Sequence, residues 1–206
     1  MKLLIAFIIL SLTLNNICYS QVFAGYGFKA GMVSAYHVMI TNTHESNSNI
    51  SRIGFNAGLF GEFYKIKTFS LNFEIDFIQK GGDNGGNDYS TLNLISVPLS
   101  AKFTLDIIKD RSGFYFLLGP RVDILLSKKE SLHLPGEYLH VNPVNFGISV
   151  SMGTEIRISK KNSLLFEAGF SPDLTTYPAQ FGNLLTTYNI RNISFEFKTG
   201  LKFNQL

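Results

Sequence analysis

Four histidines, His37, His44, His133 and His140, are the only imidazoles in this 206-residue chain. All fall in or beside long polar stretches, where a metal or acid–base role is geometrically open. Their spacings match no ligand set, and a zinc site needs three or four convergent donors. They are expected to be surface-loop side chains, with no metal or cofactor. Asp83-Asn84-Gly85-Gly86-Asn87-Asp88 offers the carboxylate and amide oxygens that calcium takes, but it lacks the carboxylate spacing and closing glutamate of a calcium loop. Its composition is that of a hairpin tip. Gly147-Ile148-Ser149-Val150-Ser151 lacks the last glycine of a nucleophile elbow and lies inside an alternating segment. Gly25-Tyr26-Gly27 opens no helix, as a nucleotide-binding turn must.

The remaining candidates are fixed charges, and their placement depends on the elements that carry them. Eight segments alternate apolar and polar residues with a period of two, the mark of strands with chemically different faces. The clearest sets Phe69, Leu71, Phe73, Ile75 and Phe77 against Ser70, Asn72, Glu74 and Asp76. The others cover roughly 26–33, 53–63, 92–103, 114–126, 146–158, 164–171 and 192–203. In the fourth, Leu92 and Leu94 share the apolar face with Val97, Leu99, Ala101 and Phe103 only through a change of parity near Ile95. Pro98 and Pro120 lie inside strands, where each removes a ladder hydrogen bond. Bulges are expected there, with a possible one-residue slip of face beyond each.

The polar face is rich in glycine (Gly27, Gly31, Gly54, Gly58, Gly119, Gly147, Gly153, Gly169 and Gly200) and in charges of both signs. Seven acids (Glu62, Glu74, Asp76, Asp123, Glu155, Glu167 and Glu196) nearly cancel six bases (Lys29, Lys102, Arg121, Arg157, Lys198 and Lys202). Alternation alone does not say which face is inside, since soluble lipocalin-type barrels alternate too. Small residues and balanced charges suit a narrow lumen better than an open surface. Eight strands leave an interior just wide enough for side chains to fill, so these 13 charges are expected to pair across a plugged lumen rather than line a pore.

Length and composition set the frame. Met1-Lys2, the apolar run Leu3 to Leu14 and Cys18-Tyr19-Ser20 read as a secretory signal cleaved after Ser20. Asn16 and Ile17 are not the small residues that a lipid-modified Cys18 needs before it. Cys18 is the only cysteine, so a chain starting at Gln21 has no thiol chemistry. The 186 residues left after removing 20 from 206 fit one domain, 21–206, and carry 17 basic against 15 acidic residues without clustering suited to nucleic acid. With 19 Phe and 9 Tyr but no later apolar run of about 18 residues, any membrane span must be built from strands.

Connections alternate between short (65–68, 106–113, 159–162) and long polar (36–51, 80–91, 128–143, 172–191). Outer-membrane barrels have this layout, with tight periplasmic turns and extended outer loops. The segments Gly54-Phe55-Asn56-Ala57-Gly58-Leu59-Phe60-Gly61-Glu62, Phe69 through Gly81, Leu94-Ile95-Ser96-Val97-Pro98-Leu99, Gly113-Phe114-Tyr115 and Gly119-Pro120 resemble the PorT-like outer-membrane β-barrel family. So do Gly27-Phe28-Lys29-Ala30-Gly31 and the close from Phe195 to Phe203. The resemblance spans nearly the whole chain after the signal and implies an eight-stranded barrel with both ends in the periplasm; it supplies no catalytic residues. Some members assist protein secretion. The end departs from the pattern, because Phe203 is followed by Asn204, Gln205 and Leu206.

The expected fold is therefore all-β, an eight-stranded antiparallel up-and-down transmembrane barrel in the outer membrane of a Gram-negative cell. It is expected to be a non-enzymatic structural or surface protein, or an accessory to secretion, in contact with outer-membrane lipid and other envelope proteins. Two alternatives stand beside it. One is a lipid-modifying enzyme or protease built at the rim from His37, His133 or His140 and a loop acid, although no base–nucleophile pair has a recognisable spacing. The other is a secreted soluble barrel around an apolar ligand. Intact-mass measurement of protein extracted from membranes is expected to give a chain beginning at Gln21 without acyl adducts; a diacylated Cys18 would refute the cleavage site.

Overall fold

The computed structural model describes residues 22–40, 45–47, 50–83, 89–108, 111–131, 138–180 and 188–205. The signal segment, His44, His133 and residues 84–88 of the acidic hairpin tip lie outside them. Among the described residues there are eleven strands: β1 (Phe23–Ile40), β2 (Glu45–Asn47), β3 (Ile50–Ile66), β4 (Phe69–Asp83), β5 (Tyr89–Ile108), β6 (Ser112–Ser131), β7 (Tyr138–Leu139), β8 (Val144–Arg157), β9 (Asn162–Pro172), β10 (Tyr177–Gln180) and β11 (Tyr188–Asn204). Eight of them, β1, β3, β4, β5, β6, β8, β9 and β11, pair antiparallel in that order, and β11 returns to β1 over a register running from Gly25↔Asn204 to Ile40↔Asn189. The sheet is a closed eight-stranded barrel. The short strands β2, β7 and β10 extend its long-loop end.

Alternation in sequence becomes alternation in space because successive side chains of a strand point to opposite faces. Along β4, Ser70, Asn72, Glu74, Asp76, Ile78 and Lys80 are buried, while Phe73 and Ile75 are exposed. The same holds around the wall: Phe28, Phe55, Leu59, Phe116, Phe146, Phe166 and Phe197 face outward, with Leu59 68 % and Phe197 67 % exposed. Glu62 and Lys202, facing inward, are both 0 % exposed. A surface this apolar is stable only against hydrocarbon. A soluble barrel holding an apolar ligand would have the opposite arrangement.

The strands are longer than the sequence suggested. Spanning a bilayer takes roughly 9–11 residues at the usual tilt, whereas β5 and β6 each have 20. Segments assigned to long loops, 36–40, 80–83, 89–91 and 128–131, are strand. The expected parity change near Ile95 is also absent. Leu92, Leu94, Ser96, Ser100 and Lys102 all face inward, so the two leucines belong to the lumen. The irregularity sits in the pairing partner, where the register slips between Asn93↔Ser127 and Leu94↔Leu125 and leaves Leu126 as the extra residue.

The two prolines cause no slip. Pairing of β5 with β4 keeps one register from Phe73↔Leu99 to Asp76↔Ser96, and with β6 from Val97↔Val122 to Ala101↔Leu118. Pro120 stands opposite Ile148 in an unbroken ladder with β8. A missing N–H deletes a hydrogen bond without requiring an inserted residue, and the aligned inward charges on both sides hold the register. Tight turns close the other end: Ile66↔Phe69 brackets Lys67, whose φ of 51° is left-handed.

Both ends of the barrel chain reach this short-turn end, where Gln205 N–H donates to the carbonyl of Ala24 at 3.2 Å. Placing arginine at Ile75, mid-strand on the outer wall, is expected to cost about 2–4 kcal/mol in unfolding from lipid bilayers. Unchanged stability of Ile75→Arg would show that this wall does not face hydrocarbon.

Candidate functional site

The inward faces of the eight long strands carry a buried charge network arranged in tiers. Nearest the short-turn end, Lys102 of β5 and Lys202 of β11 share Glu62 of β3 and Glu155 of β8. Lys102 Nζ lies 2.8 Å from Glu62 and 3.1 Å from Glu155, and Lys202 Nζ lies 2.8 Å and 3.2 Å from the same pair. Ser70 Oγ–H donates to the other oxygen of Glu62 at 2.9 Å. Two cations and two carboxylates from four strands thus neutralise one another across the barrel.

In the middle tier, Lys29 of β1 reaches Glu74 at 2.6 Å and Glu167 at 2.7 Å. Lys198 of β11 lies 3.3–3.6 Å from Glu74, Asp76, Glu167 and Glu196. The carboxylates take further donors: Asn72 to Glu74 (2.5 Å), Tyr115 to Glu167 (3.1 Å) and Asn56 to Glu196 (3.0 Å). Lys29 also stands over the Phe60 ring at 5.0 Å, and Lys102 over Tyr115 at 4.7 Å, favourable cation–π contacts where water is scarce. Glycine is needed here at one close approach, since a side chain on Gly58 would occupy the space of the Asp76 carboxylate.

The third tier joins Arg121 and Asp123 of β6 to two residues absent from the expected set, Lys80 and Asp173. Lys80 Nζ lies 2.7 Å from Asp123 and 3.2 Å from Asp173; Arg121 donates to Asp173 at 2.5 Å. Arg121 Nε faces Asp123 Oδ1 at 3.2 Å without forming a hydrogen bond. Both newcomers were legible by parity: Lys80 continues Glu74, Asp76 and Ile78, and Asp173 continues Glu167, Gly169 and Ser171. Ending those segments at Phe77 and Ser171 hid them.

Arg157, expected in the lumen, is exposed at the last position of β8, one inward position below Glu155 and beyond the packed interior. The other 12 expected lumen charges are brought together as described.

Above the charges, Val33, Ala35, Ile78, Leu92, Leu94, Val141, Tyr177 and Ile190 form an apolar layer that closes the long-loop end of the lumen. His37 sits in it, 1 % exposed, and is not the surface-loop histidine its polar neighbourhood suggested. Its Nε2 lies 2.6 Å from Ser90 Oγ, and the Tyr177 hydroxyl lies 3.3 Å from Nδ1. The ring packs against Gly82, where a side chain could not fit. His140, by contrast, is exposed and outside this layer, so these two histidines do not converge. Among the described residues no group of three or more His, Cys, Asp or Glu is placed to hold a metal ion.

An apolar wall around a packed, charge-neutralising interior is the organisation of a membrane-spanning β-barrel. Residues 19–176 match the model of the outer membrane protein beta-barrel domain, and the chain belongs to that family. Among solved structures it is similar to the outer membrane protein AlkL in DMPC bilayers (11 % identity, 91 % of this chain and 93 % of that one, TM-score 0.52). It is also similar to outer membrane protein W of E. coli (10 % identity, 88 % and 98 %, TM-score 0.50) and, at TM-score 0.46, to Neisserial surface protein A (17 % identity, 86 % and 97 %). At these identities the likeness is one of fold. No curated protein matches the chain.

Truncating one member of the network leaves its partners buried and unpaired. Lys29→Met is expected to destabilise the barrel by about 3–5 kcal/mol, and adding Glu167→Gln to it is expected to restore part of the loss in a double-mutant cycle. Strict additivity of the two changes would show that Lys29 and Glu167 do not interact.

Proposed function

We propose that the protein is a non-conducting, non-enzymatic barrel of the Gram-negative outer membrane that works through its long loops or its short-turn rim. In this proposal residues 1–20 are removed on export and both termini face the periplasm. The observation that carries it is the sealed lumen. Three tiers of ion pairs and an apolar layer fill the interior, and a filled eight-stranded barrel offers no aqueous path. A filled barrel is a rigid anchor that fixes where its connections stand on the two sides of the membrane. A structural or surface role follows, as does an accessory role in secretion, which the resemblance to PorT-like sequences supports. Its partners are outer-membrane lipid and, through the connections, other envelope or secretion proteins.

The short distance between His37 and Ser90 favours the rim-enzyme alternative in one respect, because a serine beside an imidazole is the pairing of an activated nucleophile. Both side chains are buried beneath the long-loop end, which favours a structural role instead. Loss of a lipid- or peptide-cleaving activity of outer-membrane vesicles in His37→Ala would restore the enzymatic alternative.

Purified protein is expected to sit in the outer-membrane fraction, to migrate differently on gels before and after boiling, and to give no steady conductance in planar bilayers. Reproducible single-channel steps would overturn the sealed-lumen proposal.

A further inference from the structure

The outer wall is not evenly filled. Residues paired across strands stand side by side on one face of a sheet, and the register sets the outward side chains of five neighbouring strands in two rungs. The first runs Phe114–Thr154–Phe166–Thr199–Ala30 across β6, β8, β9, β11 and β1; the second runs Phe116–Met152–Ala168–Phe197–Met32 across the same strands. Six of these ten are phenylalanine or methionine, each at least 46 % exposed. The other four are small. Ala168 has Met152 and Phe197 beside it on its rung and Phe166 and Phe170 on either side along β9, and it is itself only partly exposed.

Large side chains around small ones enclose a groove of about 800 Å³ that opens toward the hydrocarbon, within the roughly 300–1,000 Å³ of small-molecule sites. Glu167 and Lys198 border it, but both side chains are buried in the lumen, 3.6 Å from one another. They present backbone, not charge, to the groove. The Thr199 hydroxyl donates to the Leu165 carbonyl at 3.2 Å. On the opposite side of the barrel the wall is flush: Phe73 stands beside Leu99 and Phe77 beside Ile95, and the Phe77 ring lies 5.3 Å from that of Phe55.

Depth follows from the tyrosines. Tyr26 and Tyr64 are 56 % and 55 % exposed near the short-turn end, and such amphipathic rings sit at headgroup level. Ala30 is four residues further along β1, roughly 13 Å of strand and, at a tilt of about 45°, roughly 9 Å of depth. The hydrocarbon core is about 30 Å thick, so the groove opens into the leaflet on the short-turn side.

Wall atoms facing a gap lose dispersion contacts, so an occupant that follows the contour is favoured over fluid chains passing across it. A second copy fits badly, because a two-fold contact presents the same patch from both subunits and groove would meet groove. A flexible methylene chain has the width and the compliance to lie along the floor of Thr154, Ala168, Thr199 and Ala30. We propose that the groove holds one acyl chain of a phospholipid from the short-turn-side leaflet, as a retained lipid and not a freely exchanging one. The groove is continuous with the hydrocarbon-facing wall, which supplies the chain. That this leaflet is the phospholipid leaflet of the outer membrane rests on the orientation proposed above.

The folded protein recovered from outer membranes is held in a steroid-based detergent that lacks a free alkyl chain and titrated with phosphatidylethanolamine. The Met32 and Met152 methyl signals are followed by NMR, and retained lipid is counted by native mass spectrometry. The expected result is a saturating shift of both methyls with one lipid retained per chain. Ala168→Phe, which fills the floor, is expected to weaken retention at least tenfold. Ala101→Phe adds the same ring to the outward face of β5, across the barrel, and is expected to retain lipid as the unaltered protein does. Variants are compared only where the heat-dependent gel shift shows a closed barrel, and Ala30→Leu replaces Ala168→Phe if the latter does not close.

Absence of saturation, or equal retention in the groove and control variants, overturns the site. Tighter retention of lipid A than of phosphatidylethanolamine in a parallel titration overturns the phospholipid assignment, and a lipid-free dimer that Ala168→Phe dissolves gives the face to a second copy instead. Labelling of Lys160→Cys from outside intact cells would refute the orientation while leaving the retention measurements standing.

Discussion

A closed barrel of eight strands has little room for water, and the charged side chains on its inner face must neutralise one another across the lumen. That constraint organises the molecule. Lys29 ties β1 to β4 and β9, Lys102 ties β5 to β3 and β8, and Lys202 ties β11 to β3 and β8. None of these cross-barrel contacts joins hydrogen-bonded neighbours, so they fix the barrel's cross-section as well as its ladders. Buried ion pairs contribute little net stability, because desolvation offsets most of their attraction. Their effect is on register. A slip of one residue would turn a strand's charges into hydrocarbon and its aromatics into the lumen, and so one pairing is far better than its neighbours.

The same constraint accounts for the regularity around Pro98 and Pro120. Each proline removes a ladder hydrogen bond, yet Ser96, Ser100 and Lys102 on one strand and Arg121 and Asp123 on the other still face inward. Keeping those groups paired outweighs the lost ladder bond, which is worth about 1 kcal/mol. The interior also changes character along its length. Charges fill the part nearest the tight turns, whereas aliphatic residues with Tyr177 and His37 fill the part beneath the long loops. Aliphatic packing closes that end without asking the longer connections to supply matched charges.

Period-two alternation made the fold legible because the two faces of each strand meet opposite solvents. Phe69 to Phe77 could be assigned to outside and inside residue by residue, and 12 of the 13 charges read as luminal pack there. Where the interior turns apolar, the contrast between faces fails. Leu92 and Leu94 were assigned outward by hydropathy although their parity with Ser96 placed them inside. Lys80 and Asp173 were lost for a related reason: strands that continue past the membrane no longer need an apolar outer face, so the pattern fades before the strand ends. His37 lay in the same stretch, and it too continues the inward parity of Lys29, Gly31 and Val33 to a position that is 1 % exposed.

The two ends of the barrel differ physically. At the short-turn end, backbone hydrogen bonds such as those from Arg111 N–H to the Ile108 carbonyl and from Ile158 N–H to the Asn162 carbonyl close connections of a few residues. The long-loop end is nearly neutral and draws on four extended connections, with β2, β7 and β10 continuing the sheet above the apolar layer. Between the two ends stand the three charged tiers and the apolar layer, which connect them through packed side chains.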